Sequence, residues 1–215
     1  MTAAVVFDLD GVLVDSEQVW DAARRDVVAQ HGGTWRDSAT RDMLGMSSPE
    51  WSRYVVEQLH VDLTPEEVNA TVVQRVLARY DMALPLLPGA REAVFRLAEH
   101  WPLGLASSSN REVIDLVLER MGVREQFAAT VSSEEVARGK PAPDVYLEAA
   151  RRLAIAAGEC AAVEDSENGM RSAHAARMRV IAIPNPHFPP AGDALALADV
   201  TLPDLDALTP DAVSR

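Results

Sequence analysis

The chain has 215 residues, which is enough for one large domain, or for a core domain with a smaller insert, without disulfides or structural metal. Its 33 Asp and Glu residues outnumber its 20 Lys and Arg residues, and the formal net charge of −13 argues against nucleic acid or an anionic membrane as a partner. There is one cysteine, Cys160, and we find neither a basic leader nor an apolar run of membrane-spanning length. We therefore expect a cytoplasmic protein with a buried thiol.

The first predicted element is a short buried strand that ends in two carboxylates. Val5, Val6 and Phe7 have the β-branched and aromatic character of such a strand, and Asp8 and Asp10 follow where it stops. Because side chains alternate along an extended backbone, both carboxylates point to the same side. At about 4 Å and an effective dielectric of about 20, their repulsion costs on the order of 4 kcal/mol, which favours either a bound cation nearby or a raised pKa of one carboxyl group. An acidic turn is the alternative interpretation.

The segment after this strand changes to helical periodicity and carries no strand signals. The first helix follows Ser16 and ends at Gly32-Gly33, and a shorter helical piece is predicted over 37–43. Proline in the first turn marks two further helix starts, at Ser48-Pro49 and at Thr64-Pro65. Glu67, three residues after Thr64, completes a capping box. Residues 17–83 are therefore predicted to be wholly helical.

Strands and helices alternate in the remainder of the chain. The strands are predicted at 103–106, 128–131, 161–163, 180–183 and 200–202, with helices at 90–100, 111–121, 143–153 and 169–176. This alternation is typical of a parallel sheet with helices on both faces. The fold class is therefore α/β, with a Rossmann-like core domain at 1–15 and 86–215 and an inserted all-helical cap domain at 16–85. Proline-rich residues 184–190 are predicted to form a loop near the site.

Polar residues follow four of the predicted elements and could converge at one edge of the sheet. Besides Asp8 and Asp10, they are Ser107 to Asn110, Lys140, and Glu164 with Asp165. Each group has an ordinary alternative when considered alone. The serines and Asn110 could cap the helix at 111, Lys140 could be a solvated loop residue, and the acidic pair could favour a helix dipole.

Together these groups resemble the four motifs of the haloacid dehalogenase superfamily of Mg-dependent phosphohydrolases. The resemblance covers essentially the whole chain, and the motifs occur in the family's order. The helical insert is similar to the cap of the branch that contains β-phosphoglucomutase and many sugar-phosphate phosphatases. The matching segments are Asp8-Leu9-Asp10-Gly11-Val12-Leu13-Val14-Asp15-Ser16, Leu105-Ala106-Ser107-Ser108-Ser109-Asn110, Gly139-Lys140-Pro141-Ala142-Pro143-Asp144 and Val163-Glu164-Asp165-Ser166-Glu167-Asn168-Gly169.

The resemblance implies a division of labour between the two carboxylates. Asp8 would be the nucleophile that forms an aspartyl-phosphate, and Asp10 would protonate the leaving oxygen and then activate water. Mg²⁺ would be the cofactor, held by Asp8, the backbone carbonyl of Asp10 and Asp165, with Glu164 as a ligand or close by.

Further residues are implied as substrate contacts. Ser107, Ser108, Asn110 and Lys140 would bind the phosphate, and the connections at 15–17 and 84–88 would hinge so that the cap closes. The candidates for substrate contact within the cap are Trp20, Arg24, Met46 and Ser47.

The function implied is hydrolysis of a small phosphorylated metabolite, such as a sugar phosphate, by a protein that we expect to be monomeric, with a dimer as the alternative. A β-phosphoglucomutase-type mutase is the second hypothesis. It is disfavoured because Trp20 and Ser48 stand where that enzyme type has a cap histidine and a phosphate-gripping arginine, and a mutase must hold both ends of a bisphosphate. A non-catalytic phosphate-binding regulatory domain is the third.

Overall fold

The computed structural model describes residues 2–186 and 189–214, and a six-stranded parallel sheet forms its centre. The strands are β1 (Ala4–Phe7), β2 (Leu103–Ser107), β3 (Phe127–Ser132), β4 (Cys160–Glu164), β5 (Arg179–Ala182) and β6 (Val200–Thr201). They lie in the order β3-β2-β1-β4-β5-β6, so the first strand of the chain is a central one, between β2 and β4. Because the strands are parallel, their carboxyl ends meet at one edge.

The central strand β1 is buried on both faces. Val5 and Phe7 belong to one hydrophobic cluster, whereas Ala4 and Val6 belong to another, and all four residues are fully buried. This position explains why the strand is a continuous apolar run and does not alternate between apolar and polar residues.

Four helices lie between β1 and the rest of the sheet in chain order. They are α1 (Glu17–Gln30), α2 (Ala39–Asp42), α3 (Ser48–Leu59) and α4 (Pro65–Met82). Helix α4 packs against α1 and α3, and the predicted capping box is present at its start. The Glu67 carboxylate accepts the Thr64 N–H at 2.9 Å, and the Thr64 hydroxyl accepts the Glu67 N–H at 3.2 Å. Residues of these helices share one hydrophobic cluster with the sheet, so the division into domains at 16 and 85 stays a prediction.

The remaining helices cover the sheet and its later connections. They are α5 (Ala90–Ala98), α6 (Arg111–Met121), α7 (Asp144–Leu153), α8 (Glu167–Ala175), α9 (Gly192–Leu195) and α10 (Pro210–Ser214). The α/β fold class predicted from the sequence is confirmed. Helix α8 starts two residues earlier than predicted, because the Ser166 hydroxyl accepts the Gly169 N–H at 3.1 Å and caps the first turn.

Two further expectations from the sequence concern membrane-spanning helices and the proline-rich segment. Within residues 2–186 and 189–214, no helix is both long enough and apolar enough to cross a lipid bilayer. The predicted proline-rich loop at 184–190 includes His187 and Phe188, which lie outside the described residues.

Candidate active site

A pocket of about 590 Å³ opens at the carboxyl edge of the sheet. Asp8 follows β1, Ser108 follows β2 and Asp165 follows β4, and all three side chains border this pocket together with Asp10 and Lys140. The topology therefore brings residues that are more than a hundred positions apart in sequence into one site. Asn185, Pro189 and Pro190 of the proline-rich segment also line the pocket.

Lys140 is the buried cation of the site. Its Nζ lies 2.9 Å from Oδ1 of Asp8 and 2.6 Å from Oε1 of Glu164, and the residue is only 3% exposed. Burial alone would lower the pKa of Lys140, but the adjacent Asp8 and Glu164 carboxylates raise it above its usual value. Lys140 is therefore a permanent positive charge next to the Asp8 carboxylate.

Glu164 holds Lys140 in place and is itself held by several donors. Its Oε1 accepts a hydrogen bond from the Tyr146 hydroxyl at 2.7 Å, and its Oε2 accepts the Asp165 N–H at 3.2 Å and the Ser166 hydroxyl at 3.2 Å. The side chain is fully buried. The sequence does not indicate Tyr146 as a site residue, because a tyrosine on the apolar face of α7 is indistinguishable in sequence from a core residue.

Negative charge exceeds positive charge among these buried groups. Burial, together with Glu164 and Asp10, raises the pKa of Asp8 to about 8, against the opposing effect of Lys140. Burial, Glu164 and Asp8 likewise raise the pKa of Asp165 well above its ordinary value. One lysine thus faces three buried carboxylates, and the cluster favours an additional cation.

The donor set suits a hard divalent cation. Asp8, Glu164 and Asp165 each offer a carboxylate oxygen, and these oxygens lie within 4.8 Å of one another. Oδ1 of Asp165 is buried without a hydrogen-bond partner in the described part of the chain, whereas both Glu164 oxygens have partners. Carboxylate oxygens are the ligands that Mg²⁺ prefers, so the residues fit this metal, with Asp8 and Asp165 as the more available pair.

Two serine hydroxyls hold the side chain of Asp10. Ser109 donates a hydrogen bond to Oδ2 of Asp10 at 2.6 Å, and Ser107 does so at 3.4 Å. Ser107 also accepts the Ser109 N–H at 3.0 Å, which shapes the turn after β2. Ser109 is a site residue that the sequence interpretation missed, since three consecutive serines give no indication of which one turns toward the carboxylate.

The residues predicted to bind phosphate fall into two groups. Lys140 and Ser108 line the pocket, and the buried Ser108 hydroxyl has no hydrogen-bond partner among residues 2–186 and 189–214. The Ser107 side chain is engaged with the loop and Asp10, as described above. The Asn110 side chain instead accepts the Ser48 hydroxyl at 2.6 Å and donates to Oε1 of Glu134 at 2.7 Å, which connects α3 to the core.

Three of the four cap candidates border a smaller cavity of about 60 Å³, namely Trp20, Arg24 and Met46. Asp10 and Ser108 border both cavities, so the smaller one extends the main pocket toward the helical insert. Ser47 has a different place, because its N–H and hydroxyl donate to the Glu50 carboxylate at the start of α3. Glu17 lines both cavities, and sequence reasoning misses it because an acidic residue in the first turn of a helix is ordinary.

Gly11 allows Asp165 to approach the first loop closely. Gly11 has a φ of +78°, and a Cβ at this position would overlap the Asp165 carboxylate. Gly32 has a similar φ of +74°, but no atom lies within 4 Å of the position that its Cβ would take. A comparison of alanine substitutions at these two glycines therefore distinguishes the effect of backbone strain from the effect of displacing Asp165.

We expect Gly11→Ala to lose most of the activity predicted from the sequence and to weaken Mg²⁺ binding by at least about tenfold, because the new methyl group displaces Asp165, a candidate metal ligand. The control Gly32→Ala is expected to lose only about 1–2 kcal/mol of stability from its left-handed backbone and to keep normal activity. Enzyme kinetics at varied Mg²⁺ and thermal unfolding of both variants test this. Equal activities in the two variants would show that the contact between Gly11 and Asp165 is unimportant.

Comparisons with known proteins agree with this arrangement. A family model described as haloacid dehalogenase-like hydrolase matches residues 2–177. Hexitol phosphatase B of Escherichia coli is 38% identical over 209 residues, which cover 96% of this chain and 94% of that protein. A phosphorylated carbohydrates phosphatase of Thermotoga maritima is 30% identical over 80% of this chain and 81% of its own length. The crystal structure of CbbY from Rhodobacter sphaeroides in complex with phosphate has a TM-score of 0.87 at 25% identity, with full coverage of both chains.

Proposed function

Because the chain belongs to the haloacid dehalogenase-like hydrolases and is a phosphoric monoester hydrolase, we propose that it is a Mg²⁺-dependent phosphatase that acts through an aspartyl-phosphate at Asp8. The observation that carries the proposal is the position of Asp8, which is buried, borders the pocket and has Lys140 Nζ at 2.9 Å and Asp10 on the same loop. The names of the hexitol and carbohydrate phosphatases support a sugar phosphate or sugar-alcohol phosphate as the substrate class.

In the first step, the Asp8 carboxylate attacks phosphorus, and the bond between phosphorus and the leaving oxygen breaks. Asp10 gives its proton to that oxygen, so a neutral alcohol departs and Asp8 carries the phosphoryl group. In the second step, Asp10 takes a proton from water as the water oxygen attacks phosphorus. Inorganic phosphate leaves and the free Asp8 carboxylate is restored. The hydroxyls of Ser107 and Ser109 keep Asp10 oriented for both proton transfers.

Positive and polar groups reduce the electrostatic repulsion between the Asp8 carboxylate and the substrate phosphate. Lys140 is placed to contact phosphoryl oxygens as well as Asp8, and the unpartnered Ser108 hydroxyl is available to donate to them. Asp8, Asp165 and the Asp10 backbone carbonyl would hold Mg²⁺, with Glu164 positioning Lys140. When bound, Mg²⁺ supplies the positive charge that screens the carboxylates from the phosphate.

We expect Mg²⁺ to stabilise the folded protein more at pH 8 than at pH 6. The pKa of Asp8 rises from 3.8 to about 8 on burial, so the folded metal-free protein binds more protons than the unfolded chain and loses stability as pH rises across this window. Metal binding needs the deprotonated carboxylates and is therefore stronger at the higher pH. Free Mg²⁺ at about 100 times its Kd would add about 2.7 kcal/mol.

Thermal unfolding with and without Mg²⁺ at both pH values measures this effect. Asp165→Asn is the matched control and should reduce the Mg²⁺-dependent shift at both pH values. The same shift in the wild-type protein at pH 6 and pH 8 would contradict a metal site built on Asp8.

Hydrolysis is the outcome that the cap contacts support over a mutase. The Ser48 hydroxyl is engaged with Asn110, and the Trp20 ring packs edge-on against Trp51 at 6.0 Å. Neither residue offers the cationic grip that a bisphosphate intermediate needs. A mutase would convert β-glucose 1-phosphate to glucose 6-phosphate, whereas a phosphatase releases inorganic phosphate from it or leaves it unchanged.

Turnover of para-nitrophenyl phosphate with and without Mg²⁺ is the first test of the proposed function. Mg²⁺-dependent release of phosphate supports it, and absence of turnover with Mg²⁺ would refute it. A panel of phosphorylated sugars, nucleotides and short acids then identifies the substrate. Monomeric state and cytoplasmic location stay predictions.

A further inference from the structure

Arg24 is an unusual charged residue, because it is buried against two aromatic rings that also contact each other. It is only 6% exposed, and its guanidinium carbon lies 5.4 Å from the Trp20 ring centroid and 5.1 Å from that of Trp51. Stacking on indole rings suits a guanidinium, which is planar and weakly hydrated. The rings hold the side chain in place but do not satisfy its N–H donors.

Two of those donors lack partners. Nε and Nη1 of Arg24 are buried and make no hydrogen bond to any described residue. The nearest carboxylate is that of Glu17, whose Oε1 lies 3.6 Å from Nη1, an ion-pair distance that is too long for a hydrogen bond. Oε1 of Glu17 is also buried and unpartnered within the described ranges. A donor and an acceptor thus lie side by side, and each lacks a hydrogen bond that a buried polar group normally makes.

Both residues face the reacting groups. Arg24 and Glu17 border the cavity of about 60 Å³, which is large enough for a few water-sized groups and is also lined by Asp10. Asp10 is the group proposed to protonate the leaving oxygen. The leaving alcohol of a bound substrate therefore extends toward Arg24 and Glu17.

We infer that Arg24 and Glu17 together bind a hydroxyl group of the leaving alcohol, and that they select polyol and sugar monophosphates over substrates with a second anionic group. This inference rests on the proposed phosphatase function. A hydroxyl oxygen can accept from Arg24 while its hydrogen is donated to Glu17, so one group satisfies both residues. A phosphate or carboxylate would pair with Arg24 but would also meet the negative charge of Glu17 beside it.

Arg24→Met is the most direct test, because methionine keeps an unbranched stem against the indole rings and removes the N–H donors. With sorbitol 6-phosphate as the probe, we expect kcat/KM to fall by about 10- to 100-fold, mainly through KM. With para-nitrophenyl phosphate, which has no hydroxyl to place there, kcat/KM should change by less than about twofold. Arg25→Met is the control, since Arg25 is the next residue of α1, is exposed and pairs with Asp21. This control should leave kcat/KM unchanged for both substrates.

Equal losses with the two substrates in Arg24→Met would mean that Arg24 only supports the cap structure, and the inference would be overturned. No loss with either substrate would overturn it as well. A loss confined to sorbitol 6-phosphate supports it.

Wild-type kinetics provide a second test that does not depend on how the variant folds. Glycerol 3-phosphate, ribitol 5-phosphate and sorbitol 6-phosphate are compared with phosphoglycolate and fructose bisphosphate. We expect the best polyol phosphate to exceed both anionic substrates in kcat/KM by at least about tenfold. A preference for either anionic substrate would overturn the inference while the proposed phosphatase function stands. Failure to hydrolyse even para-nitrophenyl phosphate with Mg²⁺ would overturn both.

Discussion

Replacing Asp8 by Asn is expected to abolish turnover of every phosphate ester, with a fall in kcat of about 10⁴-fold or more. The amide has nearly the same size as the carboxylate but cannot attack phosphorus as an anion. Steady-state release of inorganic phosphate from para-nitrophenyl phosphate at saturating Mg²⁺ measures the effect.

The stability of the same variant distinguishes loss of the nucleophile from loss of the fold. Asp8 is one of three buried carboxylates beside a single lysine, and its raised pKa shows that its negative charge is disfavoured in the metal-free protein. Asp8→Asn should therefore unfold at the same temperature as the wild-type protein, or at a higher one, near pH 8 without metal. Asp26→Asn, on the surface of α1, is the activity control and should turn over normally. Residual activity of Asp8→Asn within about tenfold of wild type would mean that another residue is the nucleophile.

The second large loss of activity is expected for Asp10→Asn. With a good leaving group, the substitution should slow hydrolysis of the aspartyl-phosphate much more than its formation. Hydrolysis of an alkyl phosphate should slow by about 10³-fold, because its leaving oxygen needs the proton that Asp10 supplies. Nitrophenolate is a good leaving group and departs without that proton. We therefore expect para-nitrophenyl phosphate to give a rapid burst of nitrophenol, equal in amount to the enzyme, followed by slow turnover.

Stopped-flow absorbance measures the burst and the slow phase separately. The slow phase arises because Asp10 is no longer available to deprotonate the attacking water. Single-phase turnover at the wild-type rate would show that Asp10 is not the general acid and base, whatever its position beside Ser109.

The parallel sheet, and the convergence of Asp8, Asp10, Lys140 and Asp165 on one pocket at its edge, could be predicted from the sequence because their signals are local. The apolar run of β1 stops at Asp8, and polar residues at the ends of parallel strands must meet at the same edge. The order of four motifs then distinguishes a catalytic edge from four unrelated turns. The alternation of strands and helices predicted a parallel sheet, whereas the strand order β3-β2-β1-β4-β5-β6 comes from the structure.

Residues whose roles depend on distant partners could not be predicted in this way. Asn110 stays a predicted phosphate ligand, but the contacts of its side chain with Ser48 and Glu134 could not be foreseen from its position after β2. Tyr146 and Ser109 are recognised only from the carboxylates that they contact. Side-chain direction in a loop or on a buried helix face is set by tertiary packing, which composition and periodicity do not record.

The mass of the Asp10→Asn variant tests the central claim most directly. The protein is mixed with para-nitrophenyl phosphate and Mg²⁺, quenched in acid during the slow phase and digested. We predict that it gains the mass of one phosphoryl group on the peptide that contains Asp8, and that the Asp8→Asn, Asp10→Asn double variant gains none. An unmodified protein after the nitrophenol burst, or a phosphoryl group on any other residue, would contradict hydrolysis through an aspartyl-phosphate at Asp8.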